Sequence, residues 1–207
     1  MNHLPINLDT FGFVQREKYD GVIVKNRCGR DFLYYALHYY YPNEFNPQIN
    51  NPVDIEKRRL FGFLIHEWFA WTQLQFIDLH NFLESKSLKL VINNIEVKSF
   101  SKFIKTTLFS KINFDDAVKL VENEIKKGEV VGLDIAMFFG GLLDHILFVY
   151  GYDKSYFYVF DTRKVPLIQY EKITNDERFI MRISIDEVKK RWKRFSRVWE
   201  VKNSQLF

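Results

Sequence analysis

Leu143-Asp144-His145-Ile146-Leu147-Phe148-Val149-Tyr150-Gly151-Tyr152-Asp153, continuing through Lys154-Ser155 into Tyr156-Phe157-Tyr158-Val159-Phe160-Asp161, is the stretch on which the reading of this chain turns. It holds two apolar runs around a short polar turn. β-Branched and aromatic residues dominate both runs, as suits a pleated, half-buried surface, so the stretch predicts a hairpin. His145 stands at the entrance of the first strand and Asp161 at the exit of the second. If the connecting loop has an odd number of residues centred near Asp153, both side chains emerge on one sheet face, within reach of a hydrogen bond. An even loop sends them to opposite faces.

Working outward, Val130–Met137 reads as the preceding strand, joined to the hairpin by the Gly-containing loop 138–144. Downstream, Val165–Tyr170 and Phe179–Ile183 read as strands. Ser184 with Glu187 forms a capping-box signature for a short helix through Lys193, and Arg197–Val201 reads as a last strand. Upstream, Asn113 is placed to cap a helix with Asp115 and Asp116 in its first turn. Its apolar stripe is Phe114, Ala117, Val118, Val121 and Ile125, and Gly128 is its stop. Residues 100–109 are ambiguous, and Leu88–Val97 predicts two short strands about Asn93-Asn94. Residues 54–84 form a long helical pattern, apolar on most sides. From Cys28 another helical pattern carries Phe32, Leu33, Ala36, Leu37 and Tyr40 at three-to-four spacing, until Pro42 ends it. Helices first and mainly antiparallel strands afterwards predict an α+β fold.

A chain of 207 residues can build a sizeable core, and its 47% hydrophobic and 17% aromatic content excludes a disordered chain. The net charge of +4 is too weak to imply nucleic acid. One cysteine allows no internal disulfide, and Met1–Thr10 lacks the pattern of a signal peptide. The apolar run Leu60–Leu79 is interrupted by His66, Glu67, Gln73, Gln75 and Asp78, which argues against a membrane span. These features predict a soluble, cytoplasmic protein that binds neither membrane nor nucleic acid. His3, His38, His66 and His80 have no ligand spacing with cysteine or acidic partners, so neither a metal nor another cofactor is expected. The basic run Lys189–Arg194 reads as the solvated face of a helix.

The single cysteine completes a chemical set. A thiol attacks carbonyls as its anion, and both a helix N-terminus and a nearby imidazole favour that anion. Cys28 begins its helix. Gly29 leaves room for a carbonyl, and the N–H groups of Cys28 and Gly29 are candidate oxyanion donors, as is Asn26. His145 is the candidate base and Asp161 the group that orients it. Trp68, Trp71 and Asp144 are candidates to line the substrate pocket.

The order Cys–His–Asp resembles that of the papain-like cysteine peptidases. Cys28-Gly29, Gly128-Glu129-Val130-Val131 and His145-x5-Gly151-Tyr152-Asp153-x7-Asp161 are similar to the C39-like peptidase group and to the related N-terminal domain of the butirosin biosynthesis H type. The resemblance covers residues 22–41 and 115–162. It implies a single papain-like cysteine-nucleophile domain over 1–207, with an N-terminal catalytic helix, an antiparallel sheet and a helical insertion at about 43–112. It also implies a peptidase or acyltransferase in biosynthesis, acting on a peptide or an acyl-carrier-protein-linked substrate. Val22 stands where such peptidases carry an oxyanion glutamine. The alternative is therefore a catalytically silent member of the fold that binds a peptide or carrier protein.

Overall fold

The computed structural model describes residues 2–8, 11, 28–45, 80–138, 143–161, 167–173 and 180–204. Their framework is a nine-stranded sheet in which every pairing is antiparallel. In chain order the strands are β1 (Asn2–His3), β2 (Leu88–Ile92), β3 (Ile95–Glu96), β4 (Val130–Phe138), β5 (Leu143–Tyr152), β6 (Tyr156–Phe160), β7 (Tyr170–Lys172), β8 (Ile180–Ser184) and β9 (Arg197–Asn203). Across the sheet they run β3-β2-β9-β4-β5-β6-β8-β7, and β1 pairs with the far end of β5. The helices are α1 (Cys28–Tyr40), α2 (Phe100–Phe109), α3 (Phe114–Lys127) and α4 (Ile185–Arg191), and residues 80–85 are also helical.

This corrects the expected papain-like, helix-led α+β architecture. The described chain is a mostly antiparallel nine-stranded sheet with few helices, and strands occur before, between and after them. Reading runs one at a time gave their types but not their neighbours. The last strand, β9, inserts between β2 and β4, so the sheet is closed by pairings between distant parts of the chain. Residues 88–96 lie within the segment assigned to a helical insertion, yet they enter this sheet as the hairpin β2–β3. Its turn residues Asn93 and Asn94 have φ of 50° and 63°, the left-handed geometry that a two-residue hairpin needs and asparagine tolerates. Most of the long pattern at 54–84 lies outside the described residues.

Local chemistry explains the helices. Asn113 Oδ1 accepts from the Asp116 N–H at 2.8 Å, and α3 ends at Gly128 with φ 77°. Ser99 caps the ambiguous segment, which folds as α2 with Phe103 and Thr106 turned inward. Ser184 Oγ accepts from the Glu187 N–H at 3.1 Å, as its capping box predicts. The Glu187 carboxylate, however, turns to Arg191, at 2.5 Å.

In α1, the consecutive residues Phe32 to Leu37 are all buried, so this helix is apolar well beyond one stripe. Tyr35 stacks on Phe160 and packs against Phe148, at centroid distances of 5.6 and 5.3 Å. Phe32, one turn beyond Cys28, lies on Gly132 of β4. A Cβ added at Gly132 would come within 2.8 Å of the Phe32 ring and 3.1 Å of the Leu147 carbonyl oxygen. Gly132→Ala therefore forces the helix that carries Cys28 away from the sheet. We expect a loss of about 1–3 kcal/mol in urea unfolding, the usual scale of overpacking.

Candidate active site

His145 lies on β5 and Asp161 immediately follows β6. At the turn, Tyr152 pairs with Phe157 and Gly151 with Tyr158, which is the even-loop register. Continued without interruption, it would put His145 and Asp161 on opposite faces. A bulge at Tyr150 shifts the ladder by one residue, so that Val149 pairs with Val159 and Phe148 with Phe160. One step further, Asp161 stands across from Leu147, two residues from His145 and on the same face. The Leu4 N–H donates to the Tyr150 carbonyl at 2.7 Å, satisfying the bulge from the strand β1 side.

The two side chains meet. His145 Nε2 lies 2.9 Å from each Asp161 oxygen, and both residues are almost fully buried. Cys28, partly exposed at the start of α1, lies near enough to the His145 ring to raise its pKa by hydrogen bonding and charge. Because Nε2 is committed to Asp161, Nδ1 is the nitrogen left to face the thiol. Burial is the largest influence on His145 and lowers its pKa. The charge and hydrogen bond of Asp161, joined by Cys28, outweigh it and raise the pKa well above 6.5. The protonated ring is thus favoured between the Asp161 carboxylate and the Cys28 sulfur.

A fourth residue, absent from the sequence reading, completes this set. Tyr170 Oη donates to Asp161 Oδ2 at 2.7 Å. Burial, then the negative charge of Asp161, raises the Tyr170 pKa well above 10, so the hydroxyl keeps its proton and remains a donor. Nothing local signals this role: the sequence pattern makes Tyr170 only the end of a strand.

Gly29 occupies the second position of α1 and is partly exposed. The first four N–H groups of a helix lack intrahelical acceptors, so those of Cys28 and Gly29 are candidates to bind a carbonyl oxygen at the thiol. Asn26, Trp68 and Trp71 lie outside the described residues. Asp144, expected at the pocket, is partly exposed, with Oδ2 3.4 Å from Arg197 Nη1.

Asp144 also belongs to a second buried polar group. Asp144 and Asp134 face the side of β4–β5 opposite to His145, and both bind Arg197. Arg197 Nη1 binds Asp134 Oδ2 at 3.0 Å, Trp199 Nε1 reaches the same oxygen at 3.2 Å, and Arg197 Nη2 donates to the Thr107 carbonyl. Burial, followed by the charge of Asp144, pushes the Asp134 carboxyl up to about 8 despite Arg197. Loss of water and a neighbouring negative charge both favour the protonated form of a carboxyl. The group ties α2 to the sheet beside the histidine strand.

Arg191, in the basic run read as solvated, is instead largely covered. It donates to Glu187 Oε1 and to the carbonyls of Leu167 and Ala136. Among the described residues, no group of three or more His, Cys, Asp or Glu side chains could hold a metal ion, and no helix is long and apolar enough to cross a membrane. No family model, no curated protein and no solved structure matches the chain.

Proposed function

We propose that this chain is a cysteine-nucleophile enzyme that acts on an amide or thioester carbonyl through an acyl-enzyme. The observation that carries the reading is the buried His145–Asp161 pair, with Cys28 beside the same ring at the start of α1. Three groups of distant sequence position meet there in the order that nucleophilic catalysis requires.

In the reaction, the Cys28 proton resides on His145 Nδ1, and the thiolate sulfur bonds to the carbonyl carbon. The negative charge on the former carbonyl oxygen faces the N–H groups at the start of α1. Collapse expels the amine or thiol, which takes the proton from His145, and leaves an acyl thioester on Cys28. His145 then draws a proton from water or an amine, which attacks the acyl carbon and regenerates the thiol. With water the chain acts as a hydrolase, such as a peptidase. With an amine it acts as an acyltransferase in biosynthesis, taking its acyl group from a peptide or an acyl-carrier-protein thioester. Asp161 keeps Nε2 protonated and the ring oriented in both halves.

The test is capture of the intermediate. Incubated with small acyl thioesters of graded chain length, the protein is expected to gain the mass of one acyl group. The adduct should map to Cys28, be absent in Cys28→Ser, and be discharged faster by an added primary amine if the chain is a transferase. Cys28→Ser acquiring the same adduct to the same extent would overturn the reading.

A further inference from the structure

We infer that Tyr170 is a positioning residue for this site, held in place by Glu187 and Arg191 of α4 through the strap 167–173. The inference rests on the proposed function and concerns how its base is aimed.

Asp161 presents its two oxygens at equal distance from His145 Nε2. The histidine therefore does not by itself distinguish one rotation of the carboxylate from the other. The Tyr170 hydroxyl, bound to Oδ2 alone, does. It fixes the carboxylate plane, and the plane fixes the ring that must aim Nδ1 at Cys28.

The tyrosine is itself anchored from outside the site. On the strap, the Leu167 carbonyl accepts from Arg191 Nη2, and the Gln169 N–H points at Glu187 Oε1 at 3.4 Å. Arg191 Nε closes on the same Glu187 oxygen at 2.5 Å, while its Nη1 reaches the Ala136 carbonyl on β4 at 3.4 Å. One guanidinium thus bridges the strap, α4 and the strand beside His145. Such a fork suits arginine and not lysine, whose ammonium is a single point of charge. A half-buried tyrosine that merely needed a partner for its hydroxyl would require none of this bracing.

The experiment uses the full chain. Tyr170→Phe keeps the ring and removes only the hydroxyl, and Arg191→Lys keeps the charge beside Glu187 but loses the fork. Two quantities are read: the NMR signals of the His145 ring nitrogens across pH, and the rate of Cys28 alkylation by iodoacetamide at about pH 6. Tyr170→Phe is expected to shift and broaden the Nε2 proton signal and to slow alkylation on the order of threefold to tenfold, the scale of one charge-assisted hydrogen bond. Arg191→Lys should change both in the same direction to a smaller extent. If folded Tyr170→Phe keeps the wild-type His145 signals and pH profile, the tyrosine is only a half-buried ring and the inference is wrong. If the wild-type thiol reacts no faster than a free one, the enzyme reading fails, while the His145 signals still decide the role of Tyr170.

Discussion

Asp161→Asn reverses the sign of the pH dependence that His145 contributes to stability. In the wild type, Asp161 holds the histidine pKa well above its unfolded value near 6.5. A group whose pKa is raised by folding stabilises the native state fully below the unfolded value. That contribution is lost as pH rises through the folded value. In Asp161→Asn the carboxylate charge is gone, and burial, the largest influence on this ring, is expected to prevail over the remaining pull of Cys28. The folded pKa then lies below about 6.5, so the contribution is present above 6.5 and lost as pH falls. The Asp134 carboxyl, pushed up to about 8, loses its own contribution as pH rises toward that value, but it does so in both proteins and cancels in the difference. Urea midpoints at about pH 5.5 and 8.5 should therefore diverge, with the largest deficit of the variant on the acidic side. A deficit on the order of 1–3 kcal/mol is expected there, because the ring can discharge and need not remain an unpaired buried charge. Equal deficits at both pH values would mean that Asp161 does not charge His145.

His145→Ala is expected to lower the rate of Cys28 alkylation at about pH 6 by roughly tenfold or more. A free thiol has a pKa near ~8.5, so less than about 1% of it is the reactive anion at that pH. An adjacent imidazolium stabilises the anion, and in this protein His145 is the ring placed to supply that charge. The gain in rate is smaller than the gain in anion, because a stabilised thiolate is also a weaker nucleophile. Alanine removes that positive charge. The measurement is the second-order rate constant with iodoacetamide, followed by mass spectrometry of the peptide containing the only cysteine in the chain. An unchanged rate in a folded His145→Ala protein would separate the thiol from the histidine.

The hairpin was legible because its two apolar runs and polar turn are local, and so were His145 and Asp161 at its ends. What the residues did not disclose was how the faces would be matched. The turn has the even register that should have parted the pair, and the bulge at Tyr150 reunites them. A bulge depends on what the neighbouring strand donates, here the Leu4 N–H from the start of the chain. The helix opening at Cys28 was equally plain, since its apolar spacing and Pro42 are local signals. The papain-like architecture failed for the opposite reason. Strand order is set by pairings such as Leu90 with Val201 and Leu133 with Val198, which no window along the chain contains. Tyr170 and Arg191 were missed likewise. The tyrosine carries no motif, and the arginine sits in a run of cations whose ordinary place is in water. Asp134 and Arg197, 63 residues apart, meet only because β9 lies beside β4.

The account stands most directly on the pH–rate profile for alkylation of wild-type Cys28. A thiol paired with the His145 imidazolium reacts well below the pH range of a free thiol. At about pH 6 the rate should be at least several times that of a free thiol, and His145→Ala should remove that excess. A single rise centred near ~8.5, unchanged by removal of His145, would contradict it.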